Sequence, residues 1–145
     1  MIKNRVLIVD DEPGSRLGVR AYLETYGYDI DEADTLGGAV AHLRTQVPDL
    51  ALVDWALPDG TALDLLTHIK QQGIDVPVVV LTGHGSIELA VTAVKEGAEQ
   101  FLTKPVELAS LALVIDRVIE HQQNSRRVMA THFVTEPLEE VGTKD

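Results

Sequence analysis

Four short apolar runs stop abruptly on polar side chains: Val6-Leu7-Ile8-Val9 on Asp10-Asp11, Leu50-Ala51-Leu52-Val53 on Asp54, Val78-Val79-Val80-Leu81 on Thr82, and Phe101-Leu102-Thr103 on Lys104-Pro105. Runs of this kind fit strands covered on both faces of a parallel sheet, whose carboxyl ends share one edge. They predict that Asp10, Asp11, Asp54, Thr82 and Lys104 gather there. Three crowded carboxylates repel one another unless a divalent cation sits among them, and hard oxygen donors favour Mg2+. A lysine and a hydroxyl beside them suit a phosphoryl group.

Strand-like and helix-like patterns alternate, five of each, which is the sequence form of a doubly wound α/β domain. The strands are expected over Arg5 to Val9, Tyr28 to Glu32, Leu50 to Val53, Val76 to Leu81 and Gln100 to Leu102, with the polar second run at a sheet edge. Helical spacing links Leu17, Ala21 and Leu23, then Ala39, Val40 and Leu43, then Leu63, Leu66 and Ile69. A fourth set, Ile87, Val91 and Val94, leads to a C-cap at Gly97, and Leu108, Leu111, Ala112, Ile115, Val118 and Ile119 form a longer stripe that docks the last helix. Turns are expected at Tyr26-Gly27-Tyr28, Gln46-Val47-Pro48, Pro58-Asp59-Gly60 and Gln72-Gly73-Ile74. Right-handed crossovers make this a flavodoxin-like five-stranded parallel sheet of order 2-1-3-4-5, with helices on both faces. Periodicity fades after about His121, so residues 1–124 read as the domain and 125–145 as a C-terminal helix extension, tail or linker.

At 145 residues, 45% of them hydrophobic, the chain is large enough for one core and too short for a second catalytic domain. The absence of cysteine removes disulfides, thiolate metal sites and thiol nucleophiles. A formal net charge of -11 argues against nucleic-acid binding by this chain itself, because phosphate backbones are held by clustered Lys and Arg. The apolar stretches fall short of the roughly 20 residues that span a bilayer, which argues against a membrane partner. The start, Met1-Ile2-Lys3-Asn4-Arg5, lacks a secretory h-region, and a cytoplasmic setting is expected.

Ile8-Val9-Asp10-Asp11-Glu12, Val53-Asp54-Trp55-Ala56-Leu57-Pro58-Asp59-Gly60, Leu81-Thr82-Gly83 and Phe101-Leu102-Thr103-Lys104-Pro105, taken in order, resemble the receiver domain of two-component response regulators over residues 4 to 121. The resemblance implies that Asp54 accepts a phosphoryl group from a sensor histidine kinase. It implies Mg2+ held by Asp11, Asp54 and the backbone carbonyl of Ala56, with Asp10 acting mainly through water. Lys104 would supply the fixed positive charge and Thr82 the hydroxyl that shifts toward the phosphoryl group. Phe101 would be the switch aromatic that fills the space Thr82 leaves, and a cis bond is expected before Pro105. The fourth helix, fifth strand and fifth helix, about residues 86 to 121, would form the homodimer or partner face.

The segments Leu81-Thr82-Gly83-His84-Gly85-Ser86-Ile87-Glu88 and Ala93-Val94-Lys95-Glu96-Gly97-Ala98 look most like receivers of nitrogen-regulation type, which precede an ATPase module for sigma-54 promoters and a DNA-binding helix-turn-helix. No P-loop pattern occurs here and the tail lacks a basic recognition helix, so the chain acts alone or is the receiver piece of a longer transcription regulator; the receiver resemblance implies a phosphoryl-acceptor signalling domain and not an enzyme.

Plainer roles exist for each residue. Asp10 and Asp11 are suited to capping the first helix, Thr82 to capping the fourth, Phe101 to the core and Lys104 to a solvated edge. Trp55 is expected as a partly exposed loop residue beside the acceptor. His84 and Ala56 flank the path of a hydrolytic water in the family, and Ala56 cannot orient one, so slow autodephosphorylation is expected, modulated if at all by His84. A small aspartate-nucleophile phosphatase would place a second Asp two residues after the nucleophile, where Asp54 is followed by Ala56 and Asp10 by Glu12. A flavodoxin-type carrier would need phosphate-binding donors where Asp10-Asp11-Glu12-Pro13-Gly14 is acidic.

Overall fold

The computed structural model describes residues 3–83 and 85–143, with side chains through residue 127. In chain order the elements are β1 (Arg5–Val9), α1 (Pro13–Thr25), β2 (Asp29–Ala33), α2 (Leu36–Thr45), β3 (Leu50–Asp54), β4 (Ala56–Leu57), β5 (Gly60–Thr61), α3 (Ala62–Gln72), β6 (Val78–Thr82), α4 (Ile87–Lys95), β7 (Gln100–Thr103) and α5 (Leu108–Thr143). Strands β2-β1-β3-β6-β7 form one sheet in that order, and every pairing in it is parallel.

The expected order 2-1-3-4-5 therefore needs amending in one respect. Ala56 pairs with Thr61 and Leu57 with Gly60 in a separate antiparallel hairpin, so two short strands intervene between the third and fourth strands of the main sheet. Pro58-Asp59 makes the two-residue turn, and a pairing this short leaves no periodic trace in a sequence. The polar strand β2 lies at an edge, as expected.

Side-chain alternation divides the core into two layers. Leu7, Val9, Ala51, Val53, Val78 and Val80 face α2, α3 and α4, against Ala39, Leu43, Leu65, Leu66 and Ala93. Val6, Ile8, Leu50, Leu52, Val79 and Leu81 face α1 and α5, against Val19, Leu23, Leu111, Ile115 and Ile119. Because β1, β3 and β6 are covered on both faces, their sequences are unbroken apolar runs.

Two helical stripes face differently from the expectation. On α1, Leu17 is exposed while Val19 and Leu23 are buried. On α4, Ile87, Val91 and Val94 are exposed, and Ala93 is the buried residue. Small Ala93 lets α4 approach the sheet, and the larger apolar side chains then lie on the outer side. The α4 C-cap is Glu96, with Gly97 following at φ +113°, a conformation that glycine adopts without a Cβ penalty. Helix α5 carries the chain past residue 124 as helix to Thr143.

Asp59 secures the hairpin to α2. Its Oδ1 accepts from Leu36 N at 2.7 Å and its Oδ2 from Gly37 N at 2.9 Å, beside the N-cap Thr35, which accepts from Gly38 N at 2.9 Å. The bonds from Gly37 and Leu36 hold the Asp59 carboxyl below the usual aspartate value. A depressed folded-state pKa contributes stability above the unfolded-state value, and that stability is lost as pH falls through the folded one. Asp59→Ala is therefore expected to lower the melting temperature at neutral pH. In a thermal series the gap from wild type should close as the pH is taken below the ordinary aspartate range; a gap independent of pH would exclude this account.

Candidate functional site

The carboxyl ends of β1, β3, β6 and β7 deliver Asp10, Asp54, Thr82 and Lys104 to one edge, where backbone bonds extend beyond the strands. Asp10 N donates to Ala33 O at 3.0 Å, Trp55 N to Leu81 O at 2.7 Å and Lys104 N to Thr82 O at 2.8 Å. The residues at the site thus stand on strand termini rather than on free loops.

Asp10 is nearly closed off, with its side chain 7% exposed, and its Oδ1 accepts from Glu12 N at 2.9 Å. Lys104 Nζ lies 3.5 Å from Asp10 Oδ2 and 3.5 Å from Asp54 Oδ1. Carboxylate oxygens of Asp10, Asp11 and Asp54 all lie within 4.8 Å of one another, and Asp11 is the exposed member. Burial pushes the Asp54 carboxyl above the usual aspartate value; Lys104 opposes this, while the charges of Asp10 and Asp11 add to it.

Three carboxylates gathered at one sheet edge, one with its charged form disfavoured, make a set of hard oxygen donors. This set fits a hard divalent cation such as Mg2+.

The capping alternatives have other occupants. Glu12 is the N-cap of α1 and its Oε1 accepts from Ser15 N at 2.5 Å, leaving Asp10 and Asp11 to the sheet edge. Ser86 caps α4, its Oγ accepting from Leu89 N at 3.0 Å, so Thr82 is not that cap. Thr82 is buried at the end of β6, one residue beyond Leu81, the register partner of Asp54.

Phe101 lies within β7, three residues before Lys104. It pairs in register with Val80, is half-buried against the α2, α3 and α4 core, and meets Trp55 edge-on with ring centroids 6.4 Å apart. Gly85 brings the β6–α4 loop so close to β7 that a Cβ there would lie 2.1 Å from Thr103 Cγ2. Ala56 is exposed at the start of β4. The peptide before Pro105 is cis. His84 lies outside the described residues.

Arg16 is a contributor that motif reading passed over. Its Nη1 donates to Asp10 O at 2.6 Å and its Nε to Glu32 Oε1 at 2.6 Å, tying the β1–α1 loop to the edge strand. Arg20 also donates to Glu32, and this bond, with that of Arg16, holds the Glu32 carboxyl below its usual value. The available signal was Arg16 and Arg20 at helical spacing, but their partner on β2 is visible only once the strand has paired.

The model of the response regulator receiver domain matches residues 6–116. The chain belongs to the response regulator receiver family. Receivers of this family work in two-component systems. This one is 39% identical over 140 residues to the nitrogen assimilation regulatory protein NtrX of Azorhizobium caulinodans, covering 94% of this chain and 31% of that protein. It is 35% identical to the phosphate regulon transcriptional regulatory protein PhoB of Escherichia coli, covering 93% of this chain and 66% of PhoB. The solution structure of the beryllofluoride-activated NtrC4 receiver domain dimer superposes with a TM-score of 0.77 at 37% identity, covering 81% of this chain and 98% of that one. The receiver thus spans about a third of the length of its NtrX relative. No helix among the described residues is long and apolar enough to cross a membrane.

If the three carboxylates hold Mg2+ in this receiver, the ion stabilises the fold by mass action, by about 2.7 kcal/mol at a hundredfold excess over its Kd. A thermal titration is expected to show this gain for wild type and its loss in Asp11→Asn, with calcium-free buffer and a chelator blank as controls. Equal gains in both proteins would place the ion elsewhere.

Proposed function

We propose that this receiver accepts a phosphoryl group on Asp54 from the phosphohistidine of a sensor histidine kinase and thereby changes a partner surface. The observation that carries this reading is the Lys104 ammonium, 3.5 Å from oxygens of both Asp10 and Asp54, within a cluster of three carboxylates. An Asp54 carboxylate oxygen attacks phosphorus, an O–P bond forms, and the P–N bond breaks with its electron pair leaving on the imidazole. Lys104 offsets the charge of the phosphoryl oxygens as they arrive beside the acidic edge. The Thr82 hydroxyl supplies a donor at the neighbouring strand end, and Phe101 takes up the space that Thr82 vacates. Asp11, Asp54 and the carbonyl of Ala56 would hold Mg2+, with Asp10 acting through water. Bound there, the ion would screen the acidic edge and orient the phosphoryl oxygens.

A new charge of about -1.5 to -2 at Asp54 shifts a two-state equilibrium of the domain. The face that responds is α4, β7 and α5, which pairs two copies. Exposed Ile87, Val91 and Val94 at i, i+4 and i+7 support this, Ile87 being 83% exposed. The NtrC4 relative, whose beryllofluoride-activated receiver is a dimer, supports the pairing of two copies. Residues 1–124 form the receiver unit, and 125–145 connect it onward in a longer cytoplasmic regulator of transcription. The chain acts as a phosphoryl acceptor rather than a turnover enzyme. With Ala56 unable to orient a water, its phosphoryl group is long-lived.

Intact-mass spectrometry after incubation with acetyl phosphate is expected to show one phosphoryl adduct on wild type with Mg2+, and none with a chelator or in Asp54→Ala. Sedimentation of the modified protein should show a dimer that Ile87→Glu weakens. An adduct that persists in Asp54→Ala, or none under any condition, would refute the acceptor assignment.

A further inference from the structure

Among the described side chains of α5 the last buried one is Ile119: from residue 120 to 127 no side chain is buried. The helix nevertheless continues for about 1.5 Å per residue well beyond that point. Polar bonds take over where the stripe stops. Asp75, in the segment between α3 and β6, accepts from Gln122 Nε2 at 2.5 Å through Oδ1 and from Arg126 Nε at 3.0 Å through Oδ2. Arg126 Nη2 also donates to the Asp75 backbone carbonyl at 3.2 Å. Gln122 and Arg126 are four residues apart and so share one helix face. Beside them, Gln123 Nε2 donates to Asn4 Oδ1 at 3.0 Å, just before β1.

We propose that Asp75 is a clasp that sets the direction in which α5 leaves the receiver. Both contact points, before β1 and before β6, lie at the sheet edge opposite the carboxylates, so the clasp, while closed, holds α5 through Arg126 against the domain. Any displacement of α5 is then delivered beyond residue 127 as the motion of a stiff lever. The side chains of Asp75 and Arg126 are 66% and 44% exposed, so the ion pair is screened and weak. A weak clasp opens without unfolding the core, and it opens more readily in salt. This inference does not depend on phosphoryl transfer.

Amide hydrogen exchange on the full chain tests it. Asp75→Ala and Arg126→Ala are each expected to speed exchange of residues 120–127 by about two- to fivefold, leaving β1 and β3 unchanged. The double variant should be faster than either single one by less than the product of their two effects, and high salt should move wild type toward them. Unchanged exchange in Arg126→Ala, or effects of the two substitutions that multiply, would overturn the clasp. Arg126 is exposed and distant from the core, so that variant decides the matter even if Asp75→Ala weakens the whole fold.

Discussion

The attraction of one ammonium group to two carboxylates holds the business end of this domain together. Lys104 stands at the end of β7, with β6 between it and β3, yet its Nζ is 3.5 Å from oxygens of both Asp10 and Asp54. Neighbouring strands are about 4.8 Å apart, so a long flexible side chain is needed to reach over the end of β6. Without that charge, Asp10 would be a closed-off carboxylate with like-charged neighbours, a costly arrangement. The ion pairs thus tie the edge strand β7, only partly buried, to the centre of the sheet.

The same electrostatics leave the site under tension. Burial raises the Asp54 pKa, and Asp10 and Asp11 push it further in the same direction. Sites that bind or react commonly give up stability in this way, because a charge satisfied in advance has nothing to gain from a ligand. Here the two fully covered layers of core offset that tension, since β1, β3 and β6 bury both faces of the sheet beneath it.

Away from the site, single carboxylates fasten the connections. Asp59 binds the β4–β5 turn to the start of α2, Glu32 draws Arg16 and Arg20 of α1 onto the edge strand, and Asp75 receives the outgoing α5. Each joins segments distant in sequence through groups at or near the surface. Much of the negative charge of this chain therefore has local structural partners and is more than a solvating coat.

The parallel sheet, its edge strand β2 and the gathering of Asp10, Asp54, Thr82 and Lys104 were legible because buried strands must be continuous apolar runs, and because polar side chains can appear only where those runs emerge. Residue types and their order along the chain were enough for that. The tertiary structure alone decided that Glu12 and Ser86 cap the helices instead of Asp10 and Thr82, and that the Ile87, Val91 and Val94 stripe faces outward while Ala93 faces in. It also decided the partners of Arg16 and Asp75. A period of 3.6 defines a helix face but not which face the sheet will cover, and a surface charge carries no mark of a partner dozens of residues away. Those choices depend on how closely each helix approaches the sheet and which loops that approach brings within bonding distance.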